Sequence, residues 1–200
     1  MIAPLSLEFL GSFPDPLHPL DPPLPEIALI GRSNVGKSSL LNALVGQPGL
    51  ARVSGTPGKT TLLNAFRLSG WYLIDLPGYG FARAGKAERA GYRRLVTRYI
   101  LERSTLAGVV WLLDIRHDPS SDDLTMQQLL ADSGRPVLAA LTKADKLTRS
   151  AGVARTEALQ AALGLQEDQV QVTSSRTRQG ISDLAEAILA TVGGREWEGS

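Results

Sequence analysis

GRSNVGKS, Gly31–Ser38, decides how the rest of this chain is read. It matches G-x-x-x-x-G-K-[ST], and it falls between a segment that reads as a strand, Glu26–Ile30, and one that reads as a helix, Lys37–Val45. Its glycines let the backbone amides from Gly31 through Arg32, Ser33, Asn34, Val35 and Gly36 turn toward phosphate oxygens. The N-terminus of the following helix adds unpaired N–H groups and a favourable dipole. Lys37 has the reach for terminal phosphates, and the Ser38 hydroxyl can bind Mg2+. A loop of this kind between strand and helix belongs to an α/β sheet.

Working outward, strands and helices alternate to the end of the chain. Thr61–Leu68 and Trp71–Asp75 read as strands, close enough around Ser69-Gly70 for an antiparallel hairpin. Arg89–Arg103 is helical, with Tyr92, Leu95, Val96, Tyr99 and Ile100 on one face. Leu106–Asp114 is a continuous apolar run of the kind buried on both faces of a parallel sheet. Ser120, followed by Asp122 and Asp123, caps a helix to Ser133. Then come a strand at Pro136–Thr142, a helix at Ser150–Leu163, a strand at Val170–Thr173 and a helix at Ile181–Val192. The expected architecture is α/β: a mostly parallel sheet of about six strands, one antiparallel hairpin pair, and helices on both faces. Residues 1–25, with Pro4, Pro14, Pro16, Pro19, Pro22, Pro23 and Pro25, form an extended arm in which Leu5–Leu10 is a candidate edge strand. Residues 26–192 make the domain, and 193–200 a tail with nothing to hold it.

Composition excludes several classes. With 43% hydrophobic and 20% charged residues the chain is an ordinary soluble one, and no apolar run is long enough to span a bilayer. It has no cysteine, so a thiolate nucleophile, a disulfide scaffold and a cysteine-bound metal are ruled out. No Lys or Arg precedes Arg32, so the basic start of a signal peptide is missing. A cytoplasmic monomer is expected.

The motif at Gly31–Ser38 does not choose the nucleotide; later segments do. TKAD, Thr142–Asp145, follows a strand and so lies at a carboxyl-end crevice. Asp145 can accept from guanine N1–H and the 2-amino group, which adenine lacks. The Lys143 stem can cover the base. TSSR, with Thr173, Ser174 and Ser175, follows the next strand and can present a backbone amide to guanine O6. Asp75 is the metal-side carboxylate, acting through a water, and the Gly78 amide can meet a γ-phosphate. SGTPGKTT, Ser54–Thr61, is a Gly-rich segment from which Thr56, Thr60 or Thr61 could complete Mg2+ coordination.

GRSNVGKSS, TPGKT, DLPGYGFA, DIRH (Asp114–His117), TKAD and TSSR, in this order, resemble the EngB (YihA/YsxC) family of bacterial ribosome-biogenesis GTPases, over about Glu26 to Val192. The pair DLPGYGFA and DIRH is the most specific part. The resemblance implies a P-loop GTPase fold, Mg2+, GTP and GDP as ligands, and a role in assembling the large ribosomal subunit. It makes Thr60 the switch I metal ligand and puts Gly58, Lys59 and Thr61 beside the phosphates. Phe81 and Thr61 depart from it, standing where Tyr and Gln are expected.

Many small G proteins place a water-orienting glutamine directly after the Gly of D-x-x-G; this chain has Tyr79. Slow unaided hydrolysis is therefore expected, with the missing group supplied from elsewhere. Asn34 is a candidate K+ ligand, because an asparagine at this position serves that role in related GTPases. The segment Arg83 to Arg103 carries Arg83, Lys86, Arg89, Arg93, Arg94, Arg98 and Arg103 against two acids, Glu88 and Glu102, a field suited to ribosomal RNA. Two other readings are a GTP-dependent RNA- or ribosome-binding module with incidental hydrolysis, and a related GTPase acting on tRNA or the small subunit. Trp71 and Trp111 read as core, Asp114 as a strand-end acceptor, and His117 carries no assigned role.

Overall fold

The computed structural model describes residues 7–46, 62–80 and 85–193. Among these residues seven strands and five α-helices follow one another: β1 (Glu8–Phe13), β2 (Glu26–Gly31), α1 (Lys37–Val45), β3 (Leu63–Leu68), β4 (Trp71–Asp75), α2 (Lys86–Glu102), β5 (Leu106–Asp114), α3 (Ser121–Ser133), β6 (Val137–Thr142), α4 (Arg149–Leu163), β7 (Val170–Val172) and α5 (Ile181–Thr191). They form one sheet in the order β1-β3-β4-β2-β5-β6-β7. The block from β4 to β7 is parallel, and β3 and β4 make the expected hairpin. A second antiparallel pair, β1 on β3, adds a seventh strand from the N-terminal arm.

Strand alternation divides the apolar residues between two cores. Ala28 and Ile30 of β2 face the side covered by Val96, Tyr99 and Ile100 of α2, Met126 and Leu130 of α3, and Leu159 and Leu163 of α4. Ile27 and Leu29 face Leu40, Leu41 and Val45 of α1 and Ile181, Leu184 and Ile188 of α5. Each such side chain, fully buried, contributes about 1.5–3 kcal/mol. Trp71 and Trp111 are both core residues, one on each side. Ser120 caps α3 in a reciprocal capping box with Asp123, and Thr148 caps α4.

The arm is fixed along the amino-terminal rim of the sheet. Leu20 and Leu24 pack on the core, and the Tyr72 hydroxyl donates to Pro22 O at 2.8 Å. Glu26, 1% exposed, accepts from Tyr99 Oη at 2.6 Å, from Arg103 Nε at 2.8 Å and from the Thr105 hydroxyl. Arg103 also donates to His18 O at 2.7 Å. This corrects one expectation: Arg103 belongs to the interior and not to the basic surface, because Glu26 at the foot of β2 needs a buried counter-charge.

Candidate functional site

The carboxyl ends of β2, β4, β5 and β6 share one rim, which brings Gly31, Asp75, Asp114 and Thr142 together. The chain leaves β2 in a tight loop where Asn34 and Gly36 both take positive φ, 64° and 108°. Asparagine tolerates that conformation better than other side chains, and glycine adopts it freely. Helix α1 then starts at Lys37 with neither a side-chain cap nor an acid in its first turn. Its leading N–H groups are thus left for an anion. Ser38 and the Asn34 side chain are exposed at this surface.

Lys37 Nζ lies on Asp75 Oδ1. Asp75 Oδ2 accepts from Asn64 Nδ2 at 3.3 Å, a partner that sequence reading missed because it comes from the neighbouring strand. Gly78 runs so close to the loop that a Cβ there would stand 3.2 Å from Ser33 N and 3.3 Å from Gly31 O. The contact is closed by Ser33 N donating to Tyr79 O at 2.9 Å and Tyr79 N donating to Gly31 O at 3.2 Å.

Tyr79 stands at the position of the water-orienting glutamine of many small G proteins, but its side chain turns away from the rim. It is buried, and it takes part in a chain in which Trp111 Nε1 donates to its hydroxyl at 2.8 Å and that hydroxyl donates to Asp123 Oδ1 at 2.7 Å. Burial, together with the charge of Asp123, pushes the Tyr79 phenol far above its ordinary value, so it stays protonated.

Toward the other end of the rim, Thr142 Oγ1 donates to Val35 O at 2.7 Å. Lys143, itself at φ 64°, runs its stem past Gly36 and donates to Asn34 O at 2.7 Å. Its ammonium also pairs with Asp114 Oδ2 at 2.9 Å. Asp114 further accepts from Arg116 Nε at 2.9 Å and from its NH2 nitrogen at 2.8 Å. Burial alone would raise the Asp114 carboxyl, but the donors from Arg116 and Lys143 outweigh it and hold the group well below the usual carboxylate range. Asp114 is a strand-end acceptor, as expected; its pairing with Lys143, which also holds the loop after β2, carries no local sequence signal. These residues, with His117, border a cavity of about 280 Å³ on the flank of that loop. His117 reaches only 3.9 Å from Asp114.

Asp145 is next to the loop after β7. Ser174 Oγ donates to Asp145 Oδ1 at 2.7 Å, and this bond is the main reason that the carboxyl is held below its ordinary value. Asp145 Oδ2 is shielded from water and has no hydrogen-bond partner among the described residues; Lys146 and Arg176 stand 3.8 Å from it. The amides of Thr173 and Ser174 are engaged by Leu141 O and Gln179 O. Gly58, Lys59, Thr60 and Thr61, as well as Phe81 and Arg83, lie outside the described residues.

A family model described as "50S ribosome-binding GTPase" matches residues 26–143. A protein of Gemmatimonas aurantiaca, named probable GTP-binding protein EngB, is 47% identical over 175 residues, covering 87% of this chain and 86% of that one. A protein of the same name from Pelotomaculum thermopropionicum is 45% identical over 172 residues, with 85% and 87% covered. Among solved structures, a probable GTP-binding protein engB superposes with a TM-score of 0.68 at 20% identity, covering 84% of this chain and 98% of that one. Aquifex aeolicus Era bound to GDP and AlF4− gives 0.65 at 18% identity, with 86% and 57% covered. These two structural likenesses speak to the fold.

Proposed function

The chain belongs to the EngB family of GTP-binding proteins, and from that membership we propose that this GTPase uses its GTP and GDP states to time a step in assembly of the large ribosomal subunit. The observation that carries guanine recognition is Asp145: one carboxylate oxygen is fixed by Ser174, and the other is buried with no hydrogen-bond donor among the described residues. Guanine N1–H and the 2-amino group are the donors that would complete it, and adenine offers neither. In this reading the Ser175 amide meets O6 and the Lys143 stem covers the base.

On the phosphate side, the first-turn amides of α1 and those of Gly31–Gly36 bind oxygens, while Lys37 divides its charge between Asp75 and the terminal phosphates. Among the described residues no three His, Cys, Asp or Glu side chains cluster to hold a metal. Ser38 and Asp75, with Thr60 as the metal ligand that family membership implies, would offer oxygens suited to Mg2+ alongside phosphate. A Mg2+ held by these residues would supply charge neutralisation at the phosphates. Gly78 N reports the γ-phosphate.

Hydrolysis is slow in this reading, because the Tyr79 side chain is committed to the core and can orient no water. Asn34, exposed beside the phosphates, is the residue to hold a K+ that stands in for an arginine. Three arginines of α2, Arg89, Arg93 and Arg94, are exposed and have no acidic partner among the described residues, which suits ribosomal RNA. No helix among the described residues is long and apolar enough to cross a membrane. The reading has the protein work as a cytoplasmic monomer.

The test is single-turnover GTP hydrolysis in K+ and in Na+ buffer, with and without purified large subunits. Faster turnover in K+, accelerated by the subunit, supports a partner-activated switch. GTP-dependent subunit binding with no acceleration would favour the module whose hydrolysis is incidental.

A further inference from the structure

Ser12, Asn64 and Asp75 stand directly opposite one another on β1, β3 and β4. Directly opposed residues on neighbouring strands project to the same side of the sheet, so the three side chains form a row. Ser12 Oγ donates to Asn64 Oδ1 at 2.6 Å, and Asn64 Nδ2 donates to Asp75 Oδ2 at 3.3 Å. Lys37 occupies the other carboxylate oxygen. The plane of the Asp75 carboxylate is therefore held from both sides, by a lysine at the phosphates and by an amide whose own support is the N-terminal strand.

Chemistry fixes which way the amide faces. An ionised carboxylate offers no proton, so only the NH2 end of Asn64 can lie against Asp75, and its oxygen must look for a donor on the other side. Ser12 is that donor. Asn64 is also an odd residue for its place. Phe66 and Leu68, the next two residues on the same face of β3, are buried core, and asparagine is disfavoured in strands. A polar residue at the head of an apolar row has work other than packing.

We propose that Asn64 is a positioning residue for the metal-side carboxylate Asp75, with its amide oriented by Ser12, so that the N-terminal strand is part of the Mg2+-binding apparatus. The proposal rests on the GTP-binding reading. A carboxylate that acts on a metal through a water must present its oxygen at a narrow angle, and groups that hold such ligands are worth about 10–100-fold in metal affinity.

The experiment measures release of a fluorescent GDP as Mg2+ is titrated, and again in excess EDTA. The full chain is used, with Asn64→Ala, Ser12→Ala and Ser12→Thr. Binding of the GDP probe by the wild-type protein in EDTA tests the underlying reading on its own. Asn64→Ala is expected to raise the Mg2+ concentration that half-slows release by about 10–100-fold and to leave release in EDTA unchanged. Ser12→Ala, at an exposed edge where folding is not at stake, is expected to shift that midpoint several-fold in the same direction, and Ser12→Thr to keep it at the wild-type value. An unchanged midpoint in both alanine variants overturns the proposal. So does faster release by the same factor with and without Mg2+, which would mark Asn64 as a prop of the pocket and not of the metal.

Discussion

The hydroxyl of Tyr79 donates to Asp123 Oδ1 across 2.7 Å of buried space, joining the loop after β4 to the cap of α3. Tyr79→Phe leaves two buried groups short of a partner, Asp123 Oδ1 and Trp111 Nε1. Each costs about 1–3 kcal/mol. The unfolding midpoint in urea is expected to drop accordingly, while the single-turnover hydrolysis rate of the folded fraction stays within about twofold, since the ring never faces phosphate. A collapse of hydrolysis with unchanged stability would contradict this.

Asp145→Asn replaces one acceptor by an NH2 group. Facing guanine, that NH2 opposes the 2-amino group; facing xanthine, it meets a carbonyl. Affinity for GTP is expected to fall on the order of 10²-fold while XTP binding rises. Competition titrations with the two nucleotides decide it.

The basic residues of α2 and its C-cap differ in what surrounds them. Arg93→Ala with Arg94→Ala removes exposed charge, so binding to large subunits is expected to weaken, with a flatter dependence on salt and unchanged GTP affinity. Arg103→Ala strips Glu26 of its buried counter-charge and is expected to destabilise the fold by about 3–5 kcal/mol. Salt-titrated sedimentation and urea melts separate the two. Loss of GTP affinity in the first pair would make that face structural.

Asp114 gives a pH signature. Its folded carboxyl is held below the ordinary value of about 3.9, so its contribution to stability is complete above that value and fades as pH falls through the lower folded one. The gap in unfolding free energy between wild type and Asp114→Asn is therefore expected to be constant from neutral pH down to about pH 5 and to close in stronger acid. A gap that widened on acidification would show that the carboxyl is not ionised in the folded protein.

Local pattern carried the parallel sheet well, because Leu106–Asp114 can only be a strand covered on both faces and because the loop after β2 needs a strand before it and a helix after it. Segments bounded by their own caps, such as α3 behind Ser120, came out with the right start. Helix α2 begins at Lys86, three residues before the apolar face suggested, since its first turn is polar and only its backbone declares it. Direction and distance were less legible. That Tyr79 turns inward depends on Trp111 and Asp123, 32 and 44 residues away. That Arg103 is interior depends on Glu26, 77 residues away, and a run of basic residues gives no sign of which one has found an acid. Asn64 carried no signal at all, because its partners lie on two different strands.

The cluster around Glu26 also decides how α2 can move. Tyr99 and Arg103 pin the last turn of the helix and the residue after it to the foot of β2, whereas its first turn begins at Gly85 with no side-chain cap. The helix is about 25 Å long at 1.5 Å per residue. A tilt of about 10° about that pinned end would sweep the near end, and Arg89 with it, through about 4 Å. Spin labels on the exposed Ala90 and Val153 would register such a swing between GDP and a non-hydrolysable GTP analogue, and an unchanged separation would rule it out. Were it to swing so, the arm that closes the amino-terminal rim would be, in mechanical terms, the mounting of a fulcrum, and α2 the lever that carries Arg89.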